Sequence, residues 1–274
     1  MDIKAFKMDG LGNDFVIIDQ RSKDYQLTKD QIIKICDRNF IGCDQLIFIK
    51  KNDQKDTKLE FYNSDGSISG ACGNGTRCVA DLLSKENNDK EIILWTSSRS
   101  LKSQILGNNL VETEIGVPTT NWNEIPLSEN LDTKNLNIKI ISKNNIEHIG
   151  GTAVNVGNPH IIFFVDNIED YDLKKIGPKI ENHKYFPERC NVTLAKVIAK
   201  NLIKVKVWER GVGLTKACGT AACATAVAAN INGLIDSKTD IEFALGKLSI
   251  SIDKNNSVHM KGPVSDIKDI EIKI

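Results

Sequence analysis

The strongest constraint on the fold of this chain is a repeat within its own sequence. A Gly-Asn pair that leads through an apolar run to Asp occurs twice, and so does Ala-Cys-Gly followed by small, helix-forming residues. The first motif contains Gly12 in one copy and Gly157 in the other, 145 residues apart. The second contains Cys72 and Cys218, 146 residues apart. Two different motifs that recur after nearly the same number of residues indicate two homologous halves.

Composition and charge exclude several classes of protein. Of the 274 residues, 41% are hydrophobic and 26% are charged, as in globular proteins with a large buried core. Lys plus Arg and Asp plus Glu number 36 each, and this balance argues against a dedicated nucleic-acid-binding protein. No run approaches the roughly 18 apolar residues of a membrane helix, and the first seven residues alternate like a strand and do not resemble a signal peptide. We expect a cytoplasmic protein with no nucleic-acid or membrane partner.

Apolar periodicity predicts that strands dominate both halves. A helical pattern with a capping Thr covers 28–38, and helices are expected after each Cys-Gly. Each half is therefore expected to be a mostly antiparallel sheet that holds one central helix. The stretch 117–137, rich in Asn and Pro, is the expected crossing between the halves. The predicted strands are 59–62, 91–95, 104–105, 111–115, 138–141, 161–165, 202–208, 241–243, 248–252 and 258–260.

Cys72 and Cys218 lie where a turn leads into a predicted helix. A thiol at a helix N-terminus is close to backbone N–H groups, and the positive end of the helix dipole favours its thiolate form. The next residues, Gly73 and Gly219, allow a ligand close to the backbone, so the same N–H groups can bind a carboxylate. If the two halves close around one cleft, a bound carbon atom has one sulfur on each face.

Such a pair of sulfurs can invert a stereocentre. One acts as a thiolate base that removes a proton, and the other acts as a thiol acid that delivers a proton to the opposite face. The α-carbon of an amino acid suits this chemistry because helix-end donors aimed at its carboxylate stabilise the charge that develops. The two thiols would titrate as a coupled pair, since a second thiolate is repelled by the first.

Other roles for these cysteines stay open from the residues alone. The chain has seven cysteines, and the other five are expected to be small buried side chains. The Cys-x5-Cys and Cys-x4-Cys spacings do not suit zinc, so no metal is expected. A disulfide between Cys72 and Cys218 is a stronger alternative to the acid–base role than a zinc site is. A noncatalytic amino-acid-binding protein and a thiol-redox sensor are the alternatives from other classes.

Five motifs, taken together and in order, resemble the diaminopimelate epimerase family over nearly the whole chain. The resemblance implies an α+β fold of two pseudo-symmetric, homologous domains, each a mostly antiparallel β-sheet or barrel around a central helix, with the active site in the cleft between them. The expected domains are 1–117 with 263–274, carrying Cys72, and 118–262, carrying Cys218. The motifs are Lys-Met-Asp-Gly-Leu-Gly-Asn-Asp-Phe at 7–15, Asn-Ser-Asp-Gly at 63–66 with Cys-Gly-Asn-Gly at 72–75, Gly-Asn-Pro-His at 157–160, Glu-Arg-Cys-Asn at 188–191, and Trp-Glu-Arg-Gly at 208–211 with Ala-Cys-Gly-Thr at 217–220.

The resemblance also implies an activity and a set of site residues. The expected reaction is interconversion of LL- and meso-2,6-diaminopimelate without a cofactor, for lysine and peptidoglycan precursors, by a homodimer. Cys72 and Cys218 are the implied proton donor and acceptor, with possible support from His160 and Glu209. The implied donors to the reacting carboxylate are the backbone N–H groups of Gly73, Asn74, Gly219 and Thr220. The other implied substrate contacts are Asn13, Gln45, Asn63, Asn158, Asn191, Glu209 and Arg210.

Among these, Arg210 suits a distal carboxylate and Glu209 an ammonium group. Two positions depart from the family pattern: Asp9 stands where His is common, and Ala221 where Gly is common. Ala221 would favour a helix at negative φ and would be strained at positive φ. A related two-cysteine racemase with another amino acid as substrate is the nearest alternative function.

Overall fold

The structure of the protein is a computed structural model that describes residues 2–51, 57–70, 72–97 and 99–274. It divides into two compact units, unit 1 comprising 1–114 with 261–274 and unit 2 comprising 115–260. The sequence-based bounds were 117/118 and 262/263. No described helix is long and apolar enough to cross a membrane.

Unit 1 is built mainly from strands, with a short helix and a long one. Its short helix has a capping box, in which Thr28 and Gln31 each bond the backbone of the other. The chain continues from unit 1 into unit 2 within β8, the last strand before unit 2. The elements are β1 (Asp2–Gly10), β2 (Asn13–Asp19), α1 (Lys29–Cys36), β3 (Gln45–Lys51), β4 (Thr57–Asn63), β5 (Ile68–Ser69), α2 (Gly73–Asn87), β6 (Glu91–Trp95), β7 (Ser100–Gly107) and β8 (Leu110–Gly116).

Unit 2 begins with a two-stranded sheet and then repeats the element order of unit 1. The chain returns to unit 1 within β18, and the final strand, β19 (Lys268–Lys273), pairs with β1. The elements of unit 2 are β9 (Ile138–Ile141), β10 (Glu147–Gly150), β11 (Thr152–Asn155), β12 (Pro159–Phe164), α3 (Leu173–Glu181), β13 (Asn191–Ala199), β14 (Leu202–Glu209), β15 (Gly213–Thr215), α4 (Gly219–Ile231), β16 (Lys238–Phe243), β17 (Gly246–Ile252) and β18 (Val258–Pro263).

The pairing of the strands also repeats. In unit 1, β2 runs parallel to β3 and β4 runs parallel to β6, whereas β1–β2, β3–β4, β4–β5 and β6–β7 are antiparallel. In unit 2, β12–β13 and β14–β16 are the matching parallel pairs, and β11–β12, β13–β14, β14–β15 and β16–β17 the matching antiparallel ones. The mostly antiparallel, duplicated architecture expected from the sequence is confirmed.

One helix lies at the centre of each unit. Helix α2 packs against β1, β2, β6 and β7, and α4 packs against β11, β12, β13, β16 and β17. Eleven consecutive residues of α2 are buried, 74–84, and α4 is rich in alanine with almost every residue buried. Alanine is the strongest helix former and allows strands to approach on every side. Each central helix is thus held rigidly by the surrounding strands.

The stretch 117–137 differs from the expected crossing. It belongs wholly to unit 2, and Ile125, Leu127 and Leu136 are buried in the hydrophobic core of that unit. Asn123 and Pro126 lie in a turn, and the apolar residues provide burial that a free linker would not have. The chain thus passes from unit 1 to unit 2 just before this stretch, between residues 114 and 115.

Candidate active site

Cys72 and Cys218 are the N-cap residues of the two central helices. Their backbone angles agree closely, with φ −143° and ψ 112° at Cys72 and φ −145° and ψ 117° at Cys218. Both are extended, so each sulfur lies beside the start of its helix, where the first backbone N–H groups have no partner within the helix. These groups belong to Gly73 and Asn74 of α2 and to Gly219 and Thr220 of α4. The duplication therefore places two sulfurs at equivalent positions of the two central helices.

In unit 1 a chain of side-chain contacts begins at the Cys72 sulfur. Cys72 Sγ donates to Asn13 Oδ1 at 3.7 Å, and Asn74 Nδ2 approaches the same oxygen at 3.4 Å. The other end of the Asn13 amide donates to Asp44 Oδ2 at 3.0 Å. Because a carboxylate only accepts, Asp44 fixes the orientation of the amide and turns its carbonyl toward Cys72.

Gln45 and Asn63 are brought together beside this chain by strand register. They face each other across the β3–β4 pair, and Gln45 Nε2 donates to Asn63 Oδ1 at 2.9 Å. Gln45 starts β3 and Asn13 starts the parallel strand β2, so these side chains belong to the same edge of the sheet. Asn13 thus contacts both Cys72 and Asn74 at the N-terminus of α2, and Gln45 and Asn63 pair on the neighbouring strands.

In unit 2 the equivalent chain begins at Cys218, whose sulfur lies 3.4 Å from Thr220 Oγ1. Asn158 Nδ2 approaches that hydroxyl at 3.5 Å, and Asn158 Oδ1 accepts from His160 Nε2 at 2.9 Å. His160 is fully buried. Its ring contacts the Asn158 amide, so its link to the sulfur runs through Asn158 and Thr220.

Asn191, Glu209 and Arg210 complete the unit 2 set. Asn191 Oδ1 accepts from the backbone N–H of Arg210 at 3.0 Å, and its Nδ2 donates to the Pro159 carbonyl at 3.0 Å. The Arg210 guanidinium donates to the Glu188 carbonyl at 3.0 Å. Glu209 ends β14 close enough to Cys218 to affect its titration.

Burial and charge set the protonation states in unit 2. Burial raises the pKa of the Cys218 thiol well above its ordinary value, and the Glu209 carboxylate raises it further, whereas Thr220 and the Ala221 N–H oppose the shift. Burial, with the positive charge of Arg210, lowers the pKa of His160 to about 3. At neutral pH the fold therefore holds Cys218 as a thiol and His160 as a neutral imidazole. The helix-end acidification expected from sequence does not prevail at Cys218, because desolvation outweighs it.

Comparison with known proteins decides the family. Residues 5–120 and 152–267 both match the family model described as "Diaminopimelate epimerase". The chain belongs to the diaminopimelate epimerase family. The diaminopimelate epimerase of Pelagibacter ubique is 78% identical over 274 residues, which cover all of both chains. That of Acidiphilium cryptum is 41% identical over 260 residues, or 94% of this chain and 92% of the relative.

The fold extends beyond the diaminopimelate epimerases. A predicted epimerase from Pseudomonas aeruginosa has a TM-score of 0.70 to this chain, with 15% sequence identity and 99% of both chains covered. At that identity the likeness shows a shared fold alone. It agrees with the two-domain architecture described above.

The two departures from the diaminopimelate epimerase pattern have structural explanations. Ala221 lies inside α4, buried and without positive φ, so its methyl group is accommodated without backbone strain. Asp9 Oδ1 accepts from the Gly12 N–H at 2.8 Å across the β1–β2 turn, where Leu11 has φ +63°. Asp9 thus supports the turn that presents Asn13.

Sequence reasoning missed two residues that orient this site. No sequence motif marks Asp44, although it directly precedes the predicted site residue Gln45. Arg77 is fully buried on α2 and donates to Asn74 Oδ1 at 3.0 Å. A charged residue five positions after a helix-capping cysteine normally faces solvent, so only the three-dimensional packing reveals it. In the described parts of the chain, no group of three or more His, Cys, Asp or Glu side chains could hold a metal ion.

Proposed function

We propose that the chain interconverts LL- and meso-2,6-diaminopimelate by moving a proton on and off one α-carbon with Cys72 and Cys218. Membership of the diaminopimelate epimerase family supports the substrate and the reaction. The observation that carries the mechanism is the pair of cysteines with matching backbone angles at the N-termini of two central helices. Each repeated unit supplies one sulfur and one helix end.

The proposed reaction needs one thiolate and one thiol. The thiolate removes the α-proton, and the backbone N–H groups at the two helix ends stabilise the negative charge that passes onto the carboxylate. The thiol then delivers a proton to the opposite face, which inverts the centre. In the substrate-free protein, burial and Glu209 favour the protonated form of Cys218, so Cys218 is the thiol of the resting pair. The reverse reaction exchanges the two roles.

The distal end of the substrate is proposed to bind in unit 2. Diaminopimelate carries a second carboxylate and ammonium group, and the predicted unit 2 residues include the charged pair Glu209 and Arg210. The corresponding unit 1 residues, Asn63 and Ser64, are neutral. An Arg side chain can form two parallel hydrogen bonds with a carboxylate, and a neighbouring Glu can accept from the ammonium.

Epimerisation of LL-diaminopimelate by cysteine variants tests the mechanism. Cys72→Ala and Cys218→Ala should each lose at least about 100-fold in activity, since acid–base groups contribute about 10²–10⁴-fold. Cys78→Ala on α2 and Cys223→Ala on α4 are matched controls that should retain activity. Full activity in either Cys72→Ala or Cys218→Ala would contradict the two-sulfur mechanism.

The same assay separates the alternatives for substrate and class. Inversion of another amino acid, with diaminopimelate untouched, would indicate the related racemase. No exchange of α-hydrogen with solvent for any amino acid would indicate a binding protein. The homodimeric state, the cytoplasmic location and the role in peptidoglycan synthesis stay predictions, the first of which sedimentation velocity can test.

A further inference from the structure

Glu181, the last residue of α3, is a buried carboxylate outside the predicted motifs. Its side chain is 7% exposed. Oε2 accepts from Trp208 Nε1 at 2.7 Å, and Oε1 accepts from the Gly211 backbone N–H at 2.9 Å and from Arg189 at 3.4 Å. A buried carboxylate is costly unless hydrogen bonds satisfy it, and these three donors meet that need.

Its two closest donors enclose the charged pair of the proposed site. Trp208 directly precedes Glu209, and Gly211 directly follows Arg210. One carboxylate therefore binds both ends of the segment Trp208–Gly211, in which β14 ends and the turn toward β15 begins; we refer to this segment as the Trp208–Gly211 turn. Helix α3 also packs tightly against it, because a Cβ atom at Gly177 would lie 2.5 Å from the Trp208 ring. Helix α3 thus contacts both the backbone of the turn, at Gly211, and the side chain of its first residue, Trp208.

The fold of the unit does not itself require a carboxylate at this position. Cys36 ends α1 in unit 1 as Glu181 ends α3 in unit 2. The carbonyl of Cys36 accepts from Cys43 N at 3.2 Å, and the carbonyl of Glu181 accepts from Cys190 N at 3.3 Å. Unit 1 thus places a small, buried thiol where unit 2 places a charge. The difference coincides with the charged pair that only unit 2 carries at the turn.

We infer that Glu181 is a positioning residue for substrate recognition, which holds the Trp208–Gly211 turn so that the Arg210 guanidinium meets the distal carboxylate. The inference rests on the proposed function, in which Arg210 binds that group. Because Glu181 acts on the turn, its loss weakens substrate binding more than it slows proton transfer. The kinetic signature is a raised KM with kcat nearly unchanged.

Glu181→Gln is the informative variant, since glutamine keeps the size of the side chain but accepts with one oxygen only. KM for LL-diaminopimelate should rise about tenfold, as for the loss of one charge-assisted hydrogen bond, with kcat within about threefold of wild type. Trp208→Phe removes one donor and should shift KM in the same direction. Arg189→Asn is the control: it removes the longest and most exposed contact and tolerates the local φ of +62°, and should leave KM within about twofold.

A double-variant cycle separates this role from general loss of structure. If Glu181 acts through Arg210, the double variant Glu181→Gln/Arg210→Ala should have the same KM as Arg210→Ala alone. Additive increases in KM, or a Glu181→Gln variant with normal KM, would overturn the inference while leaving the distal clamp intact. An Arg210→Ala variant with normal KM would contradict the clamp itself. Circular dichroism melts of each variant show whether it is folded at the assay temperature.

Discussion

At the scale of single residues, the two repeated asparagines illustrate how one motif is adapted to two surroundings. Asn13 turns its carbonyl toward the Cys72 sulfur because the Asp44 carboxylate takes its NH2 group. Asn158 turns its NH2 group toward Thr220 because His160 takes its carbonyl. The Thr220 hydroxyl can then donate to the Cys218 sulfur, so the two sulfurs meet neighbours of different polarity.

The burial of His160 predicts a pH dependence of stability. Its pKa is lowered from 6.5 to about 3 in the folded protein, so below pH 6.5 the unfolded chain binds a proton that the folded protein does not. Proton binding by the unfolded chain therefore lowers the free energy of unfolding. The stability that the fold has with neutral His160 is fully present above pH 6.5 and is lost as the pH falls toward 3. Between pH 6 and 4.5, the free energy of unfolding should fall less steeply with decreasing pH in His160→Gln than in wild type. The two slopes should differ by up to about 1.4 kcal/mol per pH unit. Urea titrations at several pH values measure it, and parallel profiles would refute it.

The raised pKa of Cys218 predicts slow alkylation that depends on Glu209. Removing the carboxylate charge in Glu209→Gln lowers the pKa of the thiol and increases its thiolate fraction. Iodoacetamide should therefore modify Cys218 faster in Glu209→Gln than in wild type at pH 8, as followed by mass spectrometry of the Cys218 peptide. Thr220→Val should change the rate in the opposite direction. Equal rates in wild type and Glu209→Gln would show that the carboxylate does not control the thiol.

At the scale of elements, the third residue of each central helix is adapted to its own unit. Gly75 of α2 has no room for a side chain, since a Cβ atom would lie 2.7 Å from Ile47 Cδ1 and 3.1 Å from the Phe61 ring. Ala221 occupies the same place in α4 and is fully buried. Gly75 is therefore a packing requirement in unit 1, whereas α4 accommodates a methyl group at the same place.

This difference predicts that exchanging glycine and alanine destabilises the protein at either position, for different physical reasons. Gly75→Ala should lower the free energy of unfolding by about 1–3 kcal/mol through overpacking, although alanine is the better helix former. Ala221→Gly should also destabilise, by about 1–2 kcal/mol, because it loses helix propensity and a buried methyl group. Urea denaturation measures both. A stabilised Gly75→Ala would mean that the packing around α2 is looser than described.

The elements also show how far the sequence could predict the fold. Alternating strands such as 91–95 and 138–141 match β6 and β9. No strand was predicted at 45–51 or 191–199, because β3 and β13 each lie between two strands and are buried in continuous runs without alternation. Helix α3 contains Gly177 and Pro178, which local propensity disfavours, and it forms where its apolar face packs into the core.

Part of the geometry of the candidate site was predictable from local sequence. The repeated motifs identified the residues nearest the two sulfurs, because a helix N-terminus needs particular residue types at fixed spacing. Asp44 and Glu181 were not predicted, because each bonds partners that are distant from it in the sequence. Such orienting residues leave no local pattern, and only the folded chain shows which backbone and side-chain groups they satisfy.

At the scale of the whole molecule, duplication with divergence matches the proposed substrate. Both units keep the cysteine-capped helix that a symmetric proton transfer requires. Unit 1 offers the neutral amides of Gln45 and Asn63 at the site, whereas unit 2 offers the charges of Glu209 and Arg210. Under the proposed function, the reacting carbon uses what the two copies share, and the distal end of the substrate uses the residues in which they differ.

The isotope content of early product tests the two-sulfur mechanism most directly. LL-Diaminopimelate is incubated with the reduced protein in D2O, and the reaction is stopped after a few per cent of conversion. Two sulfurs on opposite faces predict that the meso product carries one deuterium at the inverted carbon while the recovered LL substrate remains unlabelled. Substrate-derived protium in the new meso product, or deuterium in the recovered LL substrate at a level comparable with that in the product, would mean that one base serves both faces and would contradict the account.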